Sequence, residues 1–555
     1  MEVIKPRGQL WPLKLHYFFH GLGGAPILPF LSVIAKQLGM PGSGIGMTMS
    51  IIQDESYTYR LRGLNTNPSA EVVSLLSNFP RHKISIFRLL MLGHLLGFFL
   101  IQFVPPIETE EMTLEPECVD MNQLGLTVDG EVDPCTINKL HTFYDKTIQC
   151  QLSCRSRESP TSSFANFQGT FNGKTSTFPA GKSLRIQFET ASCSPDLGKC
   201  FANCSDPQLR KVLNKQHDGH KAKTKLNYWI LTFLWVFGGI TAGGVMTFQD
   251  AICHQVLTAH NSKEHYGHQR LFASLGWGMA AFIVGYWVDQ DSAQSLLFDY
   301  SVAFKVMSIA WLMDILVVGY LEIPNSNVHR PHSPWQALTG SFMNIETLIF
   351  LFYCIIVGIC FSALPFHFIL LEELGSKGSC ASIQALKLLQ GLCLSLNCTG
   401  EIPVFFYSGS LVRRFGAKNI MNSVLLLFCL RFFYYSQMIG PWDTIYIEFF
   451  NGWCVALFFP AMTTFATKVA PDGAALTMTA LAFAAYEGVG GAIGGTVAGT
   501  LYEMHGAPKT FEYFSYFALV GFLVHLILQQ VLISRRTPHG YAKSFNSQSQ
   551  YMIMD

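Results

Sequence analysis

The sequence predicts an all-α, polytopic membrane protein, and three observations carry that expectation. Of the 555 residues, 50% are hydrophobic and 14% are charged, against about 25% charged residues in soluble domains. Eleven apolar runs reach the ~20 residues that a ~30 Å hydrocarbon core asks of a helix. Lys and Arg recur in alternate short loops, the pattern that marks the cytoplasmic side of a membrane. A net charge of +1, with no basic strip interleaved with aromatics, sets nucleic acid aside as a partner. The lipid bilayer is the partner the composition implies.

The runs lie near 13–35, 84–104, 226–247, 271–288, 302–321, 348–371, 383–407, 418–437, 444–466, 476–498 and 511–533. The first follows Lys5, Arg7 and Lys14 but is too long for a signal-peptide core and has no clear cleavage site, so it reads as a retained anchor. Basic residues then stand at Arg81 and Lys83, Lys263 and Arg270, Arg330, Arg413, Arg414 and Lys418, Lys468, and Arg535 and Arg536. That pattern calls for an even number of crossings with both termini cytoplasmic. Eleven is odd, and the alternation breaks in one place only. Between the first run and Arg81 the chain reads MTMSIIQDESYTYRLRGLNTNPSAEVVSLLSNF, where each central charge would cost about 2.5–3.5 kcal/mol. The second helix, over about 46–80, is therefore missing or atypical. Either it crosses in an unusual form shielded by protein, or unrelated sequence has replaced it; the abrupt end of GIGMTMSII favours replacement.

The 105–225 loop belongs on the opposite side of the membrane. It holds Cys118, Cys135, Cys150, Cys154, Cys193, Cys200 and Cys204, which read as three disulfides and one spare thiol of unspecified connectivity, in an oxidising compartment. The sequon Asn203-Cys204-Ser205 makes Asn203 a glycosylation candidate. A reduced zinc cluster is the competing reading, but no histidine arrangement completes one, so no metal and no cofactor are expected.

Two six-helix halves with a weak internal echo complete the picture: LVRRFGAK (411–418) joins two spans of the second half, and FPRHK (79–83) stands at the equivalent place in the first. Longer stretches carry a resemblance. EIPVFFYSGSLVRRFG (401–416), LRFFYYS (430–436), VALFFPAMTTFATKVAP in the run from Ile447, YEGVGGAIGG (486–495), FQDAICHQVL and YGHQRLFASLGWGMAAFIVGY resemble the major facilitator superfamily domain-containing protein 6 family. The resemblance covers the first span and nearly all of 84–533 outside the loop, and departs at the second helix. It implies the major facilitator fold, two bundles rocking about a central cavity. The expected organisation is an N-terminal bundle over 1–321 carrying the 105–225 insertion, a cytoplasmic linker over 322–347, a C-terminal bundle over 348–533 and a cytoplasmic tail over 534–555.

Ionisable groups inside spans are costly and default to functional candidates. Lys387 and Glu401 lie 14 residues apart on roughly one helical face, with Pro403 beside Glu401. Arg431 cannot shed its proton and needs an anion; Glu401, Glu448 and Glu487 are the available partners. Glu448 and Asn451 share a face at i, i+3. Glu487 precedes Gly491, Gly495 and Gly499, two GxxxG steps suited to close helix packing. Asp314 is the one acid well inside the sixth crossing and a proton-site candidate. His16 and His20, one turn apart, could carry protons but read more simply as packing residues. Asp250, Gln269 and Arg270 are placed as a cytoplasmic gate. An interhelical ion pair is the bland alternative for each of these charges.

No Walker loop, GxSxG or HExxH is present, so neither ATP-driven pumping nor enzyme activity is expected. Two readings of function follow. The first is a secondary transporter, coupled to protons and moving a small polar solute, most readily in the plasma membrane. The alternative is a cell-surface receptor or interaction protein whose disulfide-bonded loop binds an extracellular protein ligand.

Overall fold

The computed structural model describes residues 10–62, 83–107, 222–259, 266–321 apart from 294 and 296, 344–377, 385–470 and 475–536, with the strands between 115 and 206. Its helices, in chain order, are α1 (Trp11–Gly24), α2 (Leu31–Gln37), α3 (Gly42–Arg62), α4 (Lys83–Phe99), α5 (Leu226–Ala259), α6 (Tyr266–Asp291) and α7 (Ser301–Val318) in the first half. The second half holds α8 (Ile345–Phe361), α9 (Phe366–Lys377), α10 (Leu386–Phe415), α11 (Ala417–Gln437), α12 (Ile445–Val469), α13 (Ala475–Phe483), a π-helical turn (Ala484–Gly490) and α14 (Gly491–Arg536). α14 is two arms joined at Gly506, whose φ of 77° lies in the left-handed region that favours glycine.

Among the described residues, eight helical segments are long and apolar enough to cross a membrane, the last of them, Met478–Val531, holding both arms of α14. Counting those arms separately and adding α10 and α11, which carry more polar residues, recovers the eleven expected spans. Outward faces are apolar, as at Phe233 on α5, Phe282 on α6 and Ile309 on α7, all exposed. Such a girdle suits hydrocarbon rather than water. The protein is an integral, multi-pass membrane protein with the expected two-bundle helical fold.

The second helix is atypical rather than missing. α3 runs from Gly42 to Arg62, although only Gly42–Ile52 is apolar, about 16 Å at 1.5 Å per residue. Its packing is legible in small residues. A Cβ on Gly46 would sit 2.2 Å from the Gly495 carbonyl oxygen, and one on Gly499 would sit 2.5 Å from that of Gly42. Ser50 Oγ lies 2.7 Å from the Ala492 carbonyl and 2.9 Å from Thr496 Oγ1. The glycine series of α14 thus packs against a second small-residue stripe, Gly42, Gly46 and Ser50, and close backbone approach stabilises the short helix where hydropathy does not. The notion that unrelated sequence replaced the crossing is not needed to explain α3.

The first helix of each half breaks near prolines. α1 gives way to α2 around Pro26 and Pro29, and α8 to α9 at Pro365, where a missing N–H interrupts the ladder. The two breaks touch: Ser32 Oγ donates to the Pro365 carbonyl at 2.9 Å, and the Phe30 and Phe368 rings lie 5.1 Å apart.

The long insertion contains a six-stranded antiparallel sheet of order β1-β2-β5-β4-β3-β6, which the sequence did not announce. The strands are β1 (Glu115–Asp120), β2 (Gln123–Asp129), β3 (Ile148–Ser156), β4 (Ala165–Thr177), β5 (Ser183–Thr190) and β6 (Leu197–Cys204). Leu124, Leu126, Leu152, Phe171, Ile186 and Phe188 are buried in it. Cys150–Cys204 and Cys154–Cys200 bridge β3 to the edge strand β6 at directly opposed positions. Cys118 is disulfide-bonded as well; Cys135 and Cys193 lie outside the described residues. Asn203 is exposed on β6.

Candidate functional site

The bundle has two ends: one carries the β-sheet insertion (the loop end), the other Arg413, Arg414 and Lys418 (the basic end). Three groups of polar side chains inside it include the candidate residues or join the halves.

The first ties α9, α11 and α12 together within the C-terminal half. Arg431 and Tyr435 stand one turn apart on α11, and Arg431 Nε donates to the Tyr435 hydroxyl at 2.7 Å. That hydroxyl donates to Glu448 of α12. Arg431 Nη2 is 3.8 Å from Glu448 Oε1, and Asn451 Nδ2 donates to Oε2 at 3.1 Å. His367 of α9 stacks on Tyr435 with ring centres 4.4 Å apart, and its Nε2 lies 2.9 Å from Thr444 Oγ1. Arg431, Glu448 and Asn451 are buried, so the guanidinium and carboxylate must satisfy one another in a low dielectric. Of the three partners the sequence offered Arg431, Glu448 is the one that meets it. His367, Tyr435 and Thr444 were missed; neutral polar residues inside an apolar run carry little hydropathy signal.

The second group belongs to the N-terminal half. His16 Nδ1 lies 2.6 Å from Asp314 Oδ1, and His20 Nδ1 lies 3.7 Å from Oδ2. His94 of α4, absent from the sequence reading, places its ring 5.9 Å from that of His20 and 4.0 Å from Trp311.

The third group joins the halves. Asp289, near the end of α6, accepts the backbone N–H groups of Lys387 (3.1 Å) and Leu388 (2.6 Å) at the start of α10. An acid of one half thereby caps a helix of the other, where the helix dipole favours negative charge. Lys387 Nζ donates to Glu372 Oε1 at 2.5 Å and to Gln390 Oε1 at 3.1 Å, and sits 4.3 Å from the Phe298 ring. Lys36 Nζ is 3.6 Å from Glu373 Oε1, and the Ser43 N–H donates to Glu503 Oε2 at 2.8 Å. All of these lie toward the loop end. Below them α6 and α10 pack through small residues: a Cβ on Gly391 would meet the Ala281 carbonyl oxygen at 2.2 Å, and Ser395 Oγ donates to the Gly278 carbonyl at 2.8 Å. Past Glu401, Phe406, Tyr407 and Phe415 of α10 are exposed.

Lys387 and Glu401 are thus not neighbours. The 14 residues between them span about 21 Å of helix, and Lys387 belongs to the loop-end contacts while Glu401 is half-buried farther down, within electrostatic range of Arg270. Gln269 is buried and Arg270 exposed; the Asp250 side chain lies outside the described residues. Glu487 sits in the π-helical turn, half-buried. Among the described residues no group of His, Cys, Asp and Glu could hold a metal ion.

The sequence pattern of the MFS_1 like family matches residues 10–514. The chain belongs to the MFS_1 like family. Among curated relatives it is 24% identical to the maltose permease of Geobacillus stearothermophilus over 302 residues, 54% of this chain and 72% of that protein. It is 23% identical to the uncharacterized transporter YwbF of Bacillus subtilis (strain 168) over 292 residues, 51% of this chain and 66% of that protein. Among solved structures, the nucleoside transporter NupG superposes with a TM-score of 0.58 at 10% identity, covering 93% of this chain and 98% of the other. A bacterial homolog of the human lysosomal transporter Spinster, in an inward-facing and unoccupied conformation, superposes with a TM-score of 0.50 at 8% identity over 96% and 98% of the two chains. At such identities the superpositions establish the shared fold of this MFS_1 like protein and nothing narrower.

Proposed function

We propose that this protein is a proton-coupled secondary transporter that moves a small polar solute by alternating access. The supporting observation is where the halves touch. Described ion pairs, caps and small-residue seams between them gather in the loop-end half, whereas α10 stands exposed beyond Glu401 at the basic end. A rocking transporter closed on one side has this distribution. On this reading the loop end is extracellular, both termini are cytoplasmic and Asn203 is glycosylated, most readily at the plasma membrane; the charge pattern and the Asn203-Cys204-Ser205 sequon support it. The quoted motifs favour the major facilitator superfamily domain-containing protein 6 family within the superfamily.

Roles follow position. Glu401, facing Arg270 between the halves, and Glu487, in the π-helical turn, are the solute- or proton-pathway acids, and Asp314 is the proton site of the first half. Gln269 and Arg270, with Asp250, form the basic-end gate. Lys387, Asp289, Glu372, Lys36 and Glu373 form the loop-end gate. Arg431, Glu448 and Asn451 hold α9, which carries Glu372 and Glu373, in place. Uptake into proteoliposomes across a library of small polar solutes, with and without a pH gradient, tests the proposal. We expect gradient-dependent accumulation that Glu401→Gln reduces at least tenfold; no accumulation of any solute would count against transport.

The alternative of an interaction protein draws on the disulfide-stapled sheet, a separately folded module in the insertion. A cellular phenotype that survives Glu401→Gln but is lost on deleting 108–221 would favour it.

A further inference from the structure

Three histidines and an aspartate converge where α1, α4 and α7 meet, in the basic-end half of the first bundle. His16 and Asp314 are fully buried, His94 is 2% exposed, and the His20 side chain retains 13% exposure. Asp314 Oδ2, His16 Nε2 and His94 Nε2 have no hydrogen-bond partner. With three neutral imidazoles and an ionised carboxylate the cluster would be a buried anion, a costly arrangement in hydrocarbon surroundings. Facing groups offset this only in part. Arg88 of α4 spends its guanidinium on the Ile315 and Leu316 carbonyls of α7, at 3.0 and 3.4 Å. Lys14 of α1 lies against the Trp11 and Phe272 rings. α5 presents the Gly238 carbonyl, 3.1 Å from His94 Nδ1, and α6 meets α1 through Ala273 and Gly276.

We propose that His16, His20, His94 and Asp314 form a proton-binding cluster, loaded and emptied through His20. One proton is shared along the His16 Nδ1 to Asp314 Oδ1 contact. A second arrives on His20, whose Nδ1 already faces the free oxygen Oδ2 at 3.7 Å and closes on it as imidazolium, because an opposite charge that near favours the protonated ring. His94, packed on Trp311, Phe98 and His20, walls the site. Loading ties α1 to α7 by a charged rather than a neutral contact, and emptying releases that tie. This deepens the transporter reading by naming its proton site, yet proton binding itself is measured with no solute present.

The probe is built in. Trp311 stacks on His20 with ring centres 6.5 Å apart, and its Nε1 donates to the His20 carbonyl at 3.2 Å. A protonated imidazole beside an indole quenches its fluorescence. The full chain in lipid nanodiscs is titrated, and the Trp311 contribution is taken as wild type minus Trp311→Phe. A transition between about pH 5 and 8 is expected, the range in which histidine titrates. His20→Gln should abolish it, and Asp314→Asn should displace it, since the facing carboxylate is gone. A folded protein with no Trp311-dependent transition, or one that Asp314→Asn leaves in place, overturns the proposal. Should Trp311→Phe not fold, dye-detected proton uptake on a jump from about pH 8 to 5 decides instead: Asp314→Asn binds about one proton fewer than wild type, and equal uptake overturns the proposal. Either readout can fail while solute uptake succeeds, which separates this site from the transport reading.

Discussion

Gly46→Ala adds one methyl group at the seam between α3 and α14, and its effect can be worked out from the contact. The new Cβ would lie 2.2 Å from the Gly495 carbonyl oxygen and 2.9 Å from the Gly499 Cα, where ordinary contact begins at 3.4 Å. The helices must part by about 1.2 Å, or the closed state bears the overlap. Overpacking of this kind costs about 1–3 kcal/mol. If the loop-end-open state relieves it, the equilibrium shifts toward that state by about 5- to 150-fold. Ser32→Cys reports the shift, because Ser32 is buried where the two proline breaks meet and is labelled only when the loop end opens. A membrane-impermeant maleimide should therefore label Ser32→Cys/Gly46→Ala about 5- to 150-fold faster than Ser32→Cys alone. Equal rates in two equally folded proteins would refute the argument that this seam closes the loop end.

Three further outcomes follow from the contacts. Gly21→Ala makes an overlap of the same size, 2.2 Å from the Ala273 carbonyl oxygen, but within one bundle; it should lower the melting temperature in detergent and leave the labelling rate alone, and a faster rate would show that the seam has no special role. Asp289→Ala removes a helix cap worth about 1 kcal/mol and should speed labelling of Ser32→Cys roughly fivefold; no change would detach Asp289 from the gate. Arg431→Met strands the buried Glu448 carboxylate and should cost about 3–5 kcal/mol in thermal unfolding, whereas Arg431→Met/Glu448→Met should recover most of it; a stable double variant that no longer transports would instead place the pair on the solute path.

What could be read from the sequence follows the cost of each group in hydrocarbon. Arg431, Glu448 and Asp314 stood out because a charge in an apolar run is expensive, and each is buried with a partner. Tyr435, His367 and His94 did not, since aromatic polar residues fit an apolar pattern and their partners lie on other helices. Hydropathy alone misjudged α3, because it sums transfer costs and ignores packing. Gly42, Gly46 and Ser50 repeat at four-residue spacing, as do Gly491, Gly495 and Gly499, and pairing the two series would have located the helix and its neighbour. Similar information lay in the insertion: Cys150 and Cys154 have the same spacing as Cys200 and Cys204, which two antiparallel strands bring into register as two bridges. Lys387 and Glu401 share a helical phase, yet 14 residues along the axis set them at different levels of the bundle.

The most direct test locks the loop end. Lys36 of one half and Glu373 of the other are 3.6 Å apart, so Lys36→Cys/Glu373→Cys can be joined by a short bis-maleimide in proteoliposomes. Alternating access predicts that cross-linking drops solute uptake to the level of empty vesicles, while either single variant treated identically keeps transporting. Undiminished uptake by the cross-linked double variant would contradict it.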